Sequence, residues 1–325
     1  MEANGFTVRR ASPADRDHVI AAMTNLWPGL DVARRHDWLY ADNPHGPALT
    51  WITRDDASGE IAGVTSLFPW RIVAGAREVP AALGADAWVY RKFRRRGIAA
   101  AMHEASRRAM KDHGFELMFG MPWAANATPL AQHGTTLNVL DLVRFVRPLS
   151  GDALGLPARF DALARRALRP RRRDLALDDA RELDPRIDHV WDRVRPELDV
   201  ATVRDATFYD WWFRRSPHRI SAHVVTERGL PIAVCALERV DRRVRVLDLL
   251  APRDAWPRAL EAILACTDNC DLVELKLRRG DHDARRMWRR GFVARGKNPI
   301  CVMLPEGSPD GSKYLDATRW FFTSV

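Results

Sequence analysis

What most constrains this chain is that it repeats itself at long range. Asp37-Trp38-Leu39-Tyr40-Ala41-Asp42-Asn43-Pro44-His45 stands near the start, and Asp210-Trp211-Trp212-Phe213-Arg214-Arg215-Ser216-Pro217-His218 stands in the second half. Asp, Trp, an aromatic residue, Pro and His recur in register, 173 positions apart from Asp37 to Asp210 and again from Pro44 to Pro217. In each copy an aromatic helix should stop before the proline, which disfavours helical backbone in the residue preceding it. An extended run then follows, over 48–53 and over 221–226. Looser blocks keep the same order: the turn at Gly59 echoes Gly229, the strand over 83–89 echoes 245–250 with Asp86 and Asp248 in each, and His133-Gly134 echoes Arg290-Gly291. Two domains also suit 325 residues, given about 100 to 200 residues per domain. The expected division is 1–148, a linker over 149–173 marked by Pro, Gly and an arginine cluster, and 174–325 with an apolar tail docked on it.

The first copy carries a strand-loop-helix junction that the second lacks. The run over 83–90 is apolar and β-prone, and Ile98, Ala101, Met102, Ala105, Ala109 and Met110 recur at helical spacing. Between them lie Arg94, Arg95, Arg96, Gly97, Ile98 and Ala99. Unpaired amides and the positive end of a helix dipole favour an anion there, and glycine lets backbone approach it, so a diphosphate fits. The corresponding stretch of the second copy, Ala251-Pro252-Arg253-Asp254, has no glycine and puts an acid where phosphate would sit. That half is expected to be degenerate.

Charge and cysteine usage narrow the class. A net charge of +9 invites a nucleic-acid partner, but the arginines are spread along the whole chain and no nucleic-acid motif accompanies them, so none is expected. No apolar run reaches the roughly 20 residues of a membrane helix, and the first residues do not read as a signal peptide; a soluble, cytoplasmic protein is expected. Cys235, Cys266, Cys270 and Cys301 show no paired spacing and no histidine cluster, which reads as free thiols and no metal.

Arg94-x-x-Gly97-x-Ala99, with its preceding strand, following helix and next strand over 115–121, resembles the pyrophosphate loop of the GCN5-related N-acetyltransferases (GNAT). The tandem arrangement resembles bacterial acetyltransferases found with polysaccharide genes and, more distantly, mycothiol synthase. The resemblance implies an α+β (mixed α/β) fold of two tandem GNAT domains, each a mostly antiparallel sheet flanked by helices. It further implies acetyl-CoA as acyl donor, held by Arg94, Arg95, Arg96, Gly97, Ile98 and Ala99, with the Val89 amide polarising the thioester carbonyl. Asn126 would bond the pantetheine or cap a short helix. Asp86, three residues before Val89, matches the family's general base, or else is a structural aspartate echoed at Asp248. The tyrosine that often serves as general acid is replaced by Leu130, so Thr128, His133 or a water would protonate the thiolate.

The function expected from the resemblance is direct transfer of an acetyl group to an amine of a small-molecule acceptor, an amino sugar or similar, by a monomer or homodimer. The alternatives are a non-catalytic GNAT-fold binding or scaffold protein and an acyltransferase using a longer acyl donor. The aromatic segments 38–40 and 208–213 either line an acceptor site or pack a core.

Overall fold

The computed structural model describes residues 5–121, 136–168, 174–266, 270–281, 283–305, 308 and 311–322. The chain divides into two compact units, Met1–Val139 with Pro299–Ala317, and Leu140–Asn298 with Thr318–Val325.

The first unit runs β1 (Phe6–Arg10), α1 (Arg16–Leu26), α2 (Val32–His36), β2 (Leu49–Asp55), β3 (Ile61–Ala74), β4 (Arg77–Val89), α3 (Ile98–Asp112) and β5 (Leu117–Gly120). β6 (Thr136–Pro148) follows, mostly in the second unit. β1 to β4 pair antiparallel in sequence order and β4 pairs parallel with β5. The sixth strand is the segment Pro299–Met303, antiparallel to β5 with Cys301 opposite Gly120. Ala109 and Met110 of α3 join Val8, Leu49, Trp51, Leu67, Ala82 and Met303 in one apolar cluster on one face of this sheet. Tyr40 packs edge-on against Phe68 at 4.9 Å; side chains alternate along a strand, so Phe68 faces away from its neighbour Leu67 and places the turn Asp37–Ala41, which carries Tyr40, on the other face.

The second unit contains α4 (Asp161–Leu168), β7 (Leu175–Asp179), α5 (Pro185–Val194), β8 (Val200–Thr202), α6 (Ala206–Tyr209), β9 (Ile220–Glu227), β10 (Leu230–Val240), β11 (Arg243–Leu250), α7 (Trp256–Cys266) and β12 (Leu272–Arg278). The later elements are β13 (Val293–Met303), which runs on into the first unit, α8 (Gly311–Leu315), also in the first unit, and β14 (Trp320–Phe321). The sheet order is β7-β9-β10-β11-β12-β6, antiparallel throughout except β11 with β12. That is strand for strand the order and sense of the first unit. In both, the sixth strand comes from the other half of the sequence: 142–148 closes this sheet, as 299–303 closes the first.

The repeated motif has the same backbone in both copies. Each is a π-helical turn, Asp37–Ala41 and Asp210–Arg214, closed by the same bond, Asp42 N–H to Asp37 O and Arg215 N–H to Asp210 O, both 2.9 Å. Its aromatics are core: Trp38, Tyr40, Trp211 and Phe213 are buried. The expected linker is docked within the second unit, where Arg165 of α4 bonds the carboxylates of Asp161 and Asp271 and the Cys270 carbonyl. In the tail Trp320 stands opposite Val200 in the parallel pair β14-β8. Among the described residues no helix is long and apolar enough to cross a membrane, and no cluster of His, Cys, Asp and Glu is placed to hold a metal.

Candidate active site

The site is built on one irregularity. β4 pairs with β3 from Arg77 through Ala85 and again at Trp88, but Ser66 faces Ala85 while Val64 faces Trp88. Two residues of β4, Asp86 and Ala87, therefore oppose Thr65 alone, which is a β-bulge, and bulges bend and twist the strand that carries them. Asp86 has φ +54, left-handed backbone that non-glycine residues rarely adopt. On the other edge, β4 pairs with β5 only from Ala81 to Leu83, opposite Leu117 to Phe119. Among the described residues no further β4-β5 pairing follows. At the fork Gly120 meets Gly84 closely: a Cβ on Gly120 would stand 2.7 Å from the Gly84 carbonyl oxygen.

Past the bulge, Tyr90 N–H donates to Ala62 O at 3.0 Å. Successive backbone groups of a strand point to opposite edges, so the Val89 amide points away from β3, toward the edge of β4 that pairs with β5. The strand then enters a 3₁₀ turn, Arg91–Phe93, and α3 begins at Ile98 rather than at Arg95, because Arg95 (φ +63) and Gly97 (φ +81) are both left-handed. The first helical bond is Ala101 N–H to Gly97 O at 3.1 Å. Among the described residues the amides of Arg95 through Ala100 find no backbone acceptor. A Cβ on Gly97 would meet nothing within 4 Å. Unsatisfied donors at a dipole's positive end, facing open space, suit the diphosphate of an acyl-CoA.

The arginines of the loop differ in their duties. Arg94 folds back, its Nε donating to Val89 O at 3.0 Å and its guanidinium stacking 5.0 Å from the Trp88 ring. Arg96 lies 4.3 Å over Phe6 and 3.7 Å from the Asp55 carboxylate. Arg95 is exposed and, among the described residues, makes no hydrogen bond or ion pair, which leaves it available to a phosphate. Ile98 is buried and anchors the helix start with Met102 against Phe6 and Phe93. Asn126, Thr128 and His133 lie outside the described residues.

Asp86 is the surprise. Its carboxylate is fully buried and takes four hydrogen bonds: both terminal nitrogens of Arg35, Trp27 Nε1 at 3.1 Å and Tyr40 Oη at 2.9 Å. A carboxylate offers about four lone-pair sites, so none is left over for a substrate proton. Burial, then the neighbouring Asp86 charge, push the Tyr40 hydroxyl well above its ordinary pKa and keep it a neutral donor. The sequence signal for Arg35 and Tyr40 existed but was missed: Arg35 precedes Tyr40 by five residues as Arg204 precedes Tyr209, at an offset of 169 rather than the 173 of the Asp-Trp motif.

The second unit repeats the clamp without the loop. Arg204 Nε and Tyr209 Oη bond Asp248 Oδ2 at 2.9 and 2.8 Å, and β11 is bulged beside it, Leu247 having no partner between Val246 and Asp248. Where the first unit has free amides, this one has Glu197 accepting from Arg253 N–H at 3.2 Å and Pro257 in the first turn of α7.

The comparisons agree with this geometry. Residues 16–134 match the model of the Acetyltransferase (GNAT) family. By sequence, this stretch is similar to that family. The GNAT likeness in three dimensions extends over nearly the whole chain. A "probable N-acyltransferase" of Enterococcus faecalis superposes with a TM-score of 0.71 at 11% identity, over 93% of this chain and 73% of that one. A GCN5-related N-acetyltransferase of Anabaena variabilis gives 0.68 at 12% identity, over 91% and 72%. N-myristoyltransferase of Saccharomyces cerevisiae, solved with myristoyl-CoA, gives 0.62 at 10% identity, over 93% and 83%. At such identities the likeness speaks for the fold alone. No curated protein matches the sequence.

Proposed function

We propose that this chain transfers an acetyl group from acetyl-CoA to an amine of a small-molecule acceptor, an amino sugar or similar, by direct attack within its first unit. What carries the reading is the fork where the described β4-β5 pairing ends, with the Val89 amide turned to that edge and, beyond it, the amides of Arg95 through Ala100 without a backbone acceptor among the described residues. Pantetheine would lie in the fork, bonding strand edges that have no partner among the described residues, while the diphosphate sits on the loop and helix start with Arg95 adding charge. The Val89 N–H would polarise the thioester carbonyl, a donor fixed before charge develops on that oxygen. The amine attacks the carbonyl carbon, its proton passes to water, the C–S bond breaks, and the departing thiolate takes up a proton. Thr128, His133 or a water would supply that last proton. The second unit, with Glu197 where phosphate would sit, binds no CoA in this reading.

The saturated state of Asp86 favours a second reading, in which the fold holds acyl-CoA without turnover. Thiol release from acetyl-CoA against panels of amino sugars, sugar nucleotides, polyamines and amino acids separates the two, together with calorimetric titration of acetyl-CoA. One site per chain with thiol release supports transfer. One site without release under any amine supports binding alone, and no site at all overturns both.

A further inference from the structure

The Asp86 clamp ties a strained backbone position to three separate elements. Trp27 closes α1, Arg35 lies in α2, Tyr40 lies in the π-helical turn, and all meet one carboxylate on the bulge of β4. Arg35 also stacks 4.7 Å from the Trp27 ring. The network continues across the sheet, Ser66 Oγ lying 3.4 Å from Tyr40 Oη and 3.0 Å from Thr50 Oγ1. Val89 follows three residues after the clamp. Losing one extra residue from a strand shifts its register and turns alternate groups to the opposite edge. Without the bulge, the Val89 amide would therefore point toward β3 and not into the fork.

The second unit provides an internal comparison. Its Asp248, Arg204 and Tyr209 form the same buried trio, side chains of the ion pair each 1% exposed, beside a bulge after which β11 leaves β12. That unit has no phosphate loop, so a trio shared by both is tied to strand geometry and not to proton transfer.

We infer that Asp86, Arg35 and Tyr40 are positioning residues: they lock the β4 bulge, and through it the direction of the Val89 amide, and Asp86 takes no proton from the acceptor. The inference rests on the proposed acyl-CoA reading. Acetyl-CoA has a thioester carbonyl for that amide and CoA has none, so the ratio of the two affinities reports the amide's aim.

The test is calorimetric titration of the full chain with acetyl-CoA and with CoA, in wild type and in Asp86→Asn, Arg35→Lys, Trp27→Phe and Asp248→Asn. Wild type should prefer acetyl-CoA by about two- to tenfold, the worth of one hydrogen bond. In Asp86→Asn the preference should vanish while CoA affinity, set by the amides of Arg95 through Ala100 at the helix start, stays within about twofold; Arg35→Lys should retain part of it. Trp27→Phe, which removes one donor and keeps an aromatic ring, should fold even if Asp86→Asn does not, and should reduce the ratio in the same direction. Asp248→Asn should leave the ratio unchanged. An unchanged ratio in both Asp86→Asn and Trp27→Phe overturns the positioning role alone. So does equal wild-type affinity for the two ligands, since no amide would then be aimed at the carbonyl. Wild-type protein that binds neither ligand overturns the function itself. If instead Asp86→Asn keeps the ratio and abolishes the acidic limb of the rate profile with any amine that turns over, Asp86 is the general base.

Discussion

Gly97 and Gly114 sit at opposite ends of α3, and replacing each by alanine separates backbone strain from ligand binding. Both have positive φ, +81 and +68, and a Cβ on either would meet nothing within 4 Å. No steric term enters, and only the left-handed backbone matters, at about 1–2 kcal/mol for an L-residue. The gain from a less flexible unfolded chain, about 0.4–1 kcal/mol, offsets part of it, leaving a net loss near ~1 kcal/mol at each site. Urea unfolding should therefore show two similar falls in midpoint with unchanged slope. The ligand distinguishes them. At Gly97 the new methyl enters the open space over the amides of Arg95 through Ala100, and loss of close approach should weaken CoA about tenfold, equivalent to about 1.4 kcal/mol. At Gly114, beyond the other end of the helix, CoA affinity should not change. Equal CoA affinity in Gly97→Ala and wild type would remove the diphosphate from this loop. Unaltered midpoints in both variants would refute the strain argument.

Two further outcomes follow from the exchanged strands and from a buried carboxylate. A fragment of residues 1–150 lacks the segment 299–303, so β5 loses its antiparallel partner and Met303 leaves the core; it should elute as aggregate in size-exclusion chromatography, and a monomer with a sharp urea transition would contradict this. Asp184 caps α5, accepting from the amides of Arg181 and Arg186 and from the Arg186 guanidinium at 2.7 Å, which together hold its pKa down at about 2. Its folded pKa lies below the ordinary carboxylate value, so its contribution is complete above about pH 4 and fades as pH falls toward about 2. Stability measured across that window should flatten in Asp184→Asn, and an identical acid slope would count against the cap.

Much of the site was legible as sequence because its signals are local. Left-handed turns ask for glycine and amphipathic helices ask for a period, so the loop at Gly97, the strand before it and α3 after it can be read from neighbours in the chain. The repeat was legible because two copies of the π-helical turn need the same aromatics and the same proline stop. The missing glycine in the second copy likewise predicts that it holds no phosphate, and there Glu197 accepts from the Arg253 N–H.

Only the tertiary structure shows what Asp86 touches. A lone aspartate in a strand reads equally as base or brace, and its answer depends on Trp27, Arg35 and Tyr40, brought from 46 to 59 residues away. Nor could the sequence say which half closes which sheet. The edges of β5 and β12 offer generic backbone donors and acceptors, and both final strands are rich in the apolar residues such an edge accepts. Pairing of β5 with 299–303, and of β12 with 142–148, is fixed by where the rest of the chain places those segments. Turn chemistry and periodicity are properties of neighbours along the chain; a saturated carboxylate and an exchanged strand exist only once distant segments meet.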